Sequence, residues 1–341
     1  MSDPRDPFDF GIGFQSAAER VKQEREKRLI NAKRQLPFGI AFLDDCLRSI
    51  MPNDLYVIGA RTGVGKTELA RSIAAHNART GKRVHYFALE AEAMEIERRT
   101  KYGVLSNLIF KHGLQFSRPF NYPDWYRGVF DYDLGDLEQE ADDYIVKNYH
   151  SLNTYYRGSR FTHEDVRRLI LAEQDNTDLI VLDHLHYVDI DDDNENRGMR
   201  ELMMAIRDTA LLAGLPVILV VHLRKKPTGV KALVPGMDDI HGSSEIAKVC
   251  THAIMLEPAF TVPSHRKNVN NTLITIAKDR GDGSKHLIAL CPFDWRKKSY
   301  EQGYTLGRDV KGSFEPLGTK EVPYWAKRHE PLSEPMDAGL S

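Results

Sequence analysis

Short apolar runs and longer amphipathic stretches alternate along most of the chain. The apolar runs carry β-branched and aromatic residues, which predicts buried strands at 55–60, 84–89, 178–183, 216–222, 252–256, 272–278 and 286–290. Between several of these runs, apolar residues recur at helical spacing, which predicts helices at 66–80, 92–112, 162–175 and 197–213. Such alternation of strands and helices is typical of a parallel sheet covered by helices on both faces. The pattern therefore predicts an α/β fold.

Three segments depart from this alternation. The sequence of residues 16–35 predicts a strongly charged helix with a thin apolar stripe. This helix either lies in solvent or packs on a neighbouring subunit. Residues 113–150 are rich in aromatic and acidic residues and predict a helical insertion, whereas the prolines after Phe314 predict a tail without periodic structure. The predicted organisation is an N-terminal arm and linker helix over 1–35, a core domain over 36–313 and a C-terminal tail over 314–341.

The sequence ARTGVGKT follows the first predicted strand directly and opens the first helix of the core. A strand, a glycine-containing loop and a helix N-terminus aim backbone N–H groups at one point, where a phosphate binds well. Lys66 is then expected to reach the terminal phosphates of ATP, and Thr67 to hold Mg²⁺. The alternative is a surface loop with an ordinary lysine. The predicted nucleotide-binding residues are Ala60, Arg61, Thr62, Gly63, Val64, Gly65, Lys66 and Thr67.

The composition of the chain argues against several classes of protein. A formal net charge of −2 argues against a whole face that coats nucleic acid, although a few cations can still line a channel. The 3 cysteines are far apart and form no CxxC pair, as expected for buried thiols in a reducing compartment. Apolar runs are too short to span a membrane, and the charged N-terminus does not resemble a signal peptide. These features lead us to expect a cytoplasmic protein without a membrane partner.

Polar residues stand at the ends of three predicted strands. Asp183 ends the run DLIVLD, and carboxyl ends of parallel strands face the crevice where ligands bind, so we expect Asp183 to contact Mg²⁺. Glu90 follows the run VHYFAL and can orient the attacking water if its strand lies beside the phosphate-loop strand. It can equally be an acid favoured near a helix N-terminus. His222 ends the run PVILVVH and is either a phosphate sensor or a histidine satisfied at a strand end.

The loop after His222 is basic and has too few apolar residues to be core. Its cations are Arg224, Lys225, Lys226 and Lys231. Such a loop suits a single-stranded nucleic acid backbone, and the alternative is a solvated surface loop.

His184 and His186 are candidate metal ligands, since alternation on a strand places them on one face. The sequence shows no third ligand, which argues against zinc. The acidic run at 189–196 lacks the glycine and distal glutamate of a calcium loop and is expected to be solvated.

Taken in order, these motifs resemble the RecA-like motor domain of DnaB-type replicative helicases, in the branch that includes Twinkle-like and phage helicase–primases. The resemblance spans about 36–300 and rests on LPFGIAFLDDCL, ARTGVGKT, FALE, LIVLDHL, VVHLRKK, DDIHGSSEIAKVCTHAIMLEP and IAKDRGDG. It implies that Glu90 is the catalytic glutamate, that His222 senses the phosphate, and that Lys278 and Arg280 act on a neighbour's nucleotide. Gly242 and Ser243 would form the turn after the DNA-binding loop.

The resemblance further implies an ATP- and Mg²⁺-dependent motor on single-stranded DNA, assembled as a homo-oligomer, in the form of a hexameric ring. Only about 35 residues precede the core, so the family's N-terminal collar or primase region is missing from this sequence. That departure leads us to expect a replication or mobile-element partner protein. Two alternatives stay open: a RecA-like filament-forming recombinase, and an ATP-gated interaction module.

Overall fold

A computed structural model describes residues 14, 16–130, 132–190, 195–224, 232–240, 243–264, 266–281 and 287–331. The described residues form one sheet of 11 strands. The strands are β1 (Leu55–Ala60), β2 (Val84–Ala88), β3 (Leu152–Tyr156), β4 (Leu179–Asp183), β5 (Val217–His222), β6 (His252–Pro258), β7 (Val269–Asp279), β8 (Ile288–Asp294), β9 (Ser299–Tyr300), β10 (Thr305–Val310) and β11 (Ser313–Pro316).

The sheet has a parallel and an antiparallel half. Its order is β11-β10-β8-β7-β6-β1-β5-β4-β2-β3, with β9 paired to β8. Strands β3, β2, β4, β5, β1 and β6 run parallel to one another. From β7 onward every pairing is antiparallel. The expected mostly parallel α/β sheet is confirmed, and hairpins extend it on one side.

Helices connect the parallel strands, as crossover connections require. The connecting helices are α3 (Lys66–Arg79), α4 (Glu95–Lys111), α5 (Tyr122–Tyr126), α6 (Gly135–Asn148), α7 (His163–Ala172), α8 (Glu195–Ala213) and α9 (Ser243–Val249), and two more, α1 (Ala17–Arg34) and α2 (Ala41–Cys46), precede β1. Helix α1 begins with a capping box between Ser16 and Glu19 and buries no residue within the chain. Across the described residues, we find no helix that is both long and apolar enough for a membrane span.

Both faces of the central strands β1, β4 and β5 are buried, which follows from their continuous apolar sequences. Along β1, Leu55 and Val57 pack into one hydrophobic cluster, whereas Tyr56 and Ile58 pack into a second cluster on the opposite face. Side chains of a strand point alternately to its two faces, so a fully apolar strand such as β1 needs cover on each side. The strand therefore lies in the centre of the molecule, with the phosphate loop at its carboxyl end.

The segment 113–150 contains the two helices α5 and α6, in line with its predicted helical content. It packs on α4 through a small hydrophobic cluster of its own. Aromatic rings dominate this cluster: the Tyr102 ring stacks on Phe120 with centroids 5.0 Å apart and meets Tyr122 edge-on at 5.2 Å. These contacts explain why the segment is rich in aromatic residues.

The C-terminal segment is ordered further than the sequence predicts. Strand β11 extends the sheet, and Leu317 and Ala326 join the main core. The Asp45 carboxylate on α2 accepts hydrogen bonds from the Tyr304 hydroxyl at 2.9 Å and from Arg328 Nη2 at 2.7 Å. The expectation of a tail without regular structure from Phe314 onward is therefore wrong for the described residues up to 331.

Candidate nucleotide site

The phosphate loop has the predicted strand–loop–helix form. Strand β1 ends at Ala60 and helix α3 begins at Lys66. Between them, Gly63 has φ +81° and Gly65 has φ +106°, a backbone region that favours glycine. A Cβ atom at either position would meet nothing within 4 Å, so backbone conformation rather than space requires these two glycines. The loop thus presents the N-terminus of α3 to the edge of the sheet where the parallel strands end.

Lys66 lies within this loop and is only 6% exposed. Its Nζ donates a hydrogen bond to the Arg61 carbonyl at 3.3 Å. Burial lowers the pKa of Lys66, and the nearby charges of Glu90 and Asp183 oppose that shift. The neighbouring Arg61 is engaged elsewhere, since its Nη1 lies 2.5 and 2.6 Å from the two carboxylate oxygens of Glu257. Lys66 is therefore the buried cation of the loop.

Asp183 ends β4 with a carboxylate that is 3% exposed. The Tyr86 hydroxyl donates to its Oδ2 at 2.7 Å, whereas its buried Oδ1 has no hydrogen-bond partner in the described part of the chain. Burial raises the pKa of Asp183, and the hydrogen bond from Tyr86 and the nearby Thr67 hydroxyl partly offset the rise. A free carboxylate oxygen beside the Thr67 hydroxyl offers the hard oxygen ligands that Mg²⁺ prefers. These two residues fit the predicted metal role.

Glu90 reaches the site by a different route from the one expected. Its strand β2 does not lie beside β1, because β4 and β5 separate the two, so that premise is wrong. The carboxyl ends of these strands nevertheless meet at one edge. The Glu90 carboxylate is 41% exposed, lies 3.9 Å from His222 Nε2, and influences the pKa of Lys66. Burial and a hydrogen bond to Glu90 also raise the pKa of Tyr187.

His222 stands at the end of β5, directly opposite Ala60 in the register of β1 and β5. Its ring lies 3.8 Å from the ring of His184, measured between centroids, and 6.1 Å from that of His186. His184 is fully buried, and burial together with the neighbouring histidines and Lys66 lowers its pKa to about 2. His184 is therefore a neutral imidazole at physiological pH.

Two premises about these histidines need correction. His186 lies in a turn of 3₁₀ helix over Leu185–Tyr187, so strand alternation does not place it on a common face with His184. A set of three possible ligands does exist, but it contains His184 without His186. Glu90, His184 and His222 bring one ligand atom each to within 4.8 Å of one another. No signal along the chain pointed to this cluster, because its members come from three separate strand ends.

Lys278 and Arg280 lie at the opposite edge of the sheet. Asp279 pairs with His252, which in turn pairs with Tyr56 near the start of β1. The Lys278 Nζ donates to the carbonyls of Ala247 and Cys250, both at 2.6 Å, and so caps the end of α9. Arg280 follows the end of β7 and is exposed. Both residues are thus remote from the phosphate loop of their own chain.

Only part of the predicted basic loop belongs to the described residues. Arg224 is exposed, and its backbone N–H donates to the Asp239 carbonyl at 2.7 Å. Lys225, Lys226 and Lys231 lie outside the described residues, as does Gly242 of the turn that follows. Ser243 is the first residue of α9.

Comparison with known proteins adds a family and a fold. Residues 35–228 match the family model described as "AAA domain". None of the curated proteins compared with the chain matches it. A solved structure described as an ATPase domain is similar with a TM-score of 0.66 at 15% identity, covering 84% of this chain and 99% of that one. A DnaB-like replicative helicase, described with its interactions with primase, gives a TM-score of 0.63 at 16% identity, covering 90% of this chain and 68% of that one.

These comparisons confirm two predictions at the level of the fold. The α/β architecture is that of a RecA-like P-loop ATPase core, and the resemblance to DnaB-type motor domains extends over most of the chain. The family match covers the phosphate loop, Glu90, Asp183 and His222.

Proposed function

Because the chain belongs to the AAA-domain family, we propose that it hydrolyses ATP and uses the energy to move along single-stranded DNA, as a helicase-type motor. One observation carries the proposal. Lys66, Asp183, Glu90 and His222 come from four different segments and meet at the carboxyl edge of the parallel strands. ATP hydrolysis requires a cationic phosphate ligand, a metal ligand and a group that positions water, and these roles fit Lys66, Asp183 and Glu90.

The first group of residues binds the substrate. The backbone N–H groups of residues 60–67 and the N-terminus of α3 hold the phosphates, and the Lys66 ammonium neutralises the terminal ones. Thr67 and Asp183 would hold Mg²⁺, which supplies positive charge to the phosphate oxygens as they become more negative. Tyr86 fixes the Asp183 side chain through its hydrogen bond to Oδ2 and leaves Oδ1 for the metal.

Glu90 and His222 would act at the terminal phosphate. The half-exposed Glu90 carboxylate accepts a hydrogen bond from water and orients it for attack. His222 stands beside Ala60 of the loop and only two residues before Arg224. A change in its contact with the phosphate therefore reaches the basic loop through two residues of backbone. This short connection is the proposed link between hydrolysis and movement on DNA.

The proposed DNA contacts are the cations that follow β5. Arg224, Lys225, Lys226 and Lys231 would neutralise phosphates of a single strand, which makes binding sensitive to salt. A net charge of −2 fits a motor that holds DNA through a few cations in a channel rather than across a basic face.

A ring of subunits would complete each nucleotide site. Lys278 and Arg280 are remote from their own phosphate loop, and Arg280 is exposed. An arginine supplied by a neighbour can stabilise the charge of a phosphoryl-transfer transition state. We therefore propose a homo-oligomer, a hexamer by analogy with DnaB-type helicases, whose motor domain spans 36–313 and carries 1–35 as an arm. A replication or mobile-element protein is the proposed partner.

The proposal is tested by measuring ATP turnover in Mg²⁺ with and without single-stranded DNA, on material of known oligomeric state. Glu90→Gln should bind nucleotide but lose about 10²–10⁴-fold in turnover, the range expected for loss of a general base. Glu92→Gln is the matched control, since Glu92 is a neighbouring acid whose carboxylate lies 3.0 Å from Arg98 instead. Single-stranded DNA should raise wild-type turnover. Normal turnover of Glu90→Gln refutes the assigned base, and turnover that ignores DNA refutes the motor.

A further inference from the structure

Three ligand-bearing side chains meet at the candidate nucleotide site without forming part of the phosphate loop. Glu90 follows β2, His184 follows β4 and His222 ends β5, and these three strands are consecutive neighbours in the sheet. One ligand atom from each lies within 4.8 Å of the other two. The arrangement therefore results from the sheet order, because these residues are far apart in the sequence.

We propose that Glu90, His184 and His222 form a binding site for a divalent transition-metal ion of the Zn²⁺ class, and that the bound ion stops ATP hydrolysis. Two imidazole nitrogens and one carboxylate oxygen are a donor set that suits Zn²⁺. Mg²⁺ prefers oxygen ligands and is served by Thr67 and Asp183 instead. The two ions would thus occupy different ligands at adjacent positions.

His184 provides the independent observation that points to a ligand. Its side chain is 0% exposed, and its Nε2 has no hydrogen-bond partner among the described residues. A buried polar atom without a partner loses its hydrogen bonds to water and gains none in return, so such atoms are rare unless something satisfies them. Binding an ion through Nε2 requires the tautomer with its proton on Nδ1. That tautomer gives up only a weak contact, in which the His186 N–H lies 3.4 Å from Nδ1.

The geometry needs only a small adjustment. Ligand atoms of a tetrahedral zinc site lie roughly 3.3 Å apart, given metal–ligand distances of about 2.0–2.1 Å. The present separations, which are at most 4.8 Å, must therefore shorten by up to roughly 1.5 Å. Glu90 is 41% exposed and His222 is 28% exposed, so both side chains have room to rotate towards the buried His184. A water molecule or a phosphate oxygen can take the fourth position.

Two charges beside the site act in opposite directions on an incoming cation. The Lys66 ammonium repels it and is one of the charges that lower the pKa of His184, whereas the Asp183 carboxylate attracts it. Once bound, the ion occupies the Glu90 carboxylate and the His222 ring. Glu90 can then no longer orient water, and His222 can no longer sense the phosphate. This inhibition rests on the proposed function, but the binding of the ion does not.

The binding test uses metal-stripped full-length protein without nucleotide, titrated with Co²⁺ and followed by its visible absorption bands. Zn²⁺ is measured in parallel by calorimetry. Wild type should bind one ion per chain. His184→Phe should weaken binding by more than about 100-fold, the upper range for losing even an outer-shell partner of a metal. His222→Gln tests the same site if His184→Phe fails to fold. His112→Ala is the matched control, since His112 Nε2 also lies 3.0 Å from a glutamate, Glu140, on the surface.

The inhibition test measures Mg²⁺-dependent ATP turnover over a range of Zn²⁺ concentrations and then after adding a chelator. Zn²⁺ should inhibit wild type reversibly. In His184→Phe, the Zn²⁺ concentration that halves turnover, relative to that variant's own rate in Mg²⁺ without Zn²⁺, should be at least about tenfold higher. Equal Co²⁺ affinity in wild type and His184→Phe, or no Co²⁺ binding to wild type, overturns the site. Absent turnover of wild type in Mg²⁺ without Zn²⁺ refutes the proposed ATPase instead, and leaves the Co²⁺ result to decide the metal site.

Discussion

Replacing Asp183 by asparagine should stabilise the nucleotide-free protein while removing its response to Mg²⁺ and nucleotide. The carboxylate is 3% exposed, and burial raises its pKa, which means that the fold disfavours its charged form. Asparagine keeps an oxygen that can accept the hydrogen bond from the Tyr86 hydroxyl, now 2.7 Å long. The variant therefore removes a buried charge without removing its main hydrogen bond.

The magnitude follows from the state of Oδ1, which is buried without a hydrogen-bond partner in the described part of the chain. An unsatisfied buried polar group costs about 1–3 kcal/mol, and more when it is charged, so the neutral amide that replaces Oδ1 keeps part of this cost and removes the part due to charge. Lys66 and Thr67 already offset part of this cost for the carboxylate. We therefore expect a gain of about 1–2 kcal/mol in the free energy of unfolding, or about 1–3 °C in Tm for a chain of this length.

The assay is a thermal melt of wild type and Asp183→Asn, each with and without Mg²⁺ and a non-hydrolysable ATP analogue. Saturating ligand at 100 times its Kd should stabilise wild type by about 2.7 kcal/mol, and the Mg²⁺-dependent part of this gain should vanish in the variant. Asp178→Asn is the matched control, since Asp178 comes just before the same strand and forms an ion pair with Arg83 at 3.1 Å. This control variant should be less stable than wild type but should keep the response to Mg²⁺ and nucleotide. A lower Tm of nucleotide-free Asp183→Asn, or an intact Mg²⁺ response, would refute the reasoning.

Three further predictions address the subunit interface, DNA and the C-terminal segment. The Lys66→Ala and Arg280→Ala proteins should each be nearly inactive alone. Mixed together, they should regain part of the ATPase activity at interfaces that combine an intact Lys66 with a neighbour's intact Arg280. Full activity of Arg280→Ala alone would exclude the action of Arg280 on a neighbour's nucleotide. Alanine at all three positions 224–226 should reduce the salt slope of single-strand binding by up to about 2, and an unchanged slope places the contact elsewhere. Burial raises the pKa of Asp45, but the hydrogen bonds from Arg328 have the larger effect, so the pKa of Asp45 lies below its ordinary value of 3.8 in the folded protein. The ionised carboxylate therefore stabilises the fold fully above pH 3.8, and this stabilisation is lost as the pH falls through the lowered pKa. In urea melts, Asp45→Asn should lose about 1–2 kcal/mol near neutral pH, and the difference should shrink below about pH 4; a difference that ignores pH contradicts this assignment.

Local signals account for the parts of the fold that the sequence predicts well. The phosphate loop, β1 and α3 depend on residues within one short stretch, where glycines, an apolar run and helical spacing coincide. Strand β3 was missed because its side chains are half-buried or exposed along LNTYY, so it lacks the apolar run of a central strand. Strands β10 and β11 were missed for a similar reason, since most of their residues beyond Thr305–Gly307 are exposed and β11 ends in proline.

The candidate site also combines features that a short stretch of sequence predicts with contacts that depend on the order of the strands in the sheet. Each strand end could be assigned a polar residue from the sequence, as for Asp183 and His222. The neighbours of each strand could not be assigned, because sheet order depends on the packing of the whole domain. The position of β2 next to β4 rather than β1 is one consequence. The approach of His184 to Glu90 and His222 is another, since no spacing rule relates residues on three different strands.

The central place of β1 also has a consequence for biosynthesis. This strand is made first among the strands of the sheet, yet its two partners are β5 and β6, and roughly 160 residues separate its end from the start of β5. At typical translation rates, β1 must wait about 10–30 s for its first partner to be synthesised. Throughout that interval a ribosome-bound chain carries an apolar strand and a phosphate loop that nothing yet supports. Nucleotide can therefore aid folding only late in translation, and the early chain is the stage at which chaperones are most needed.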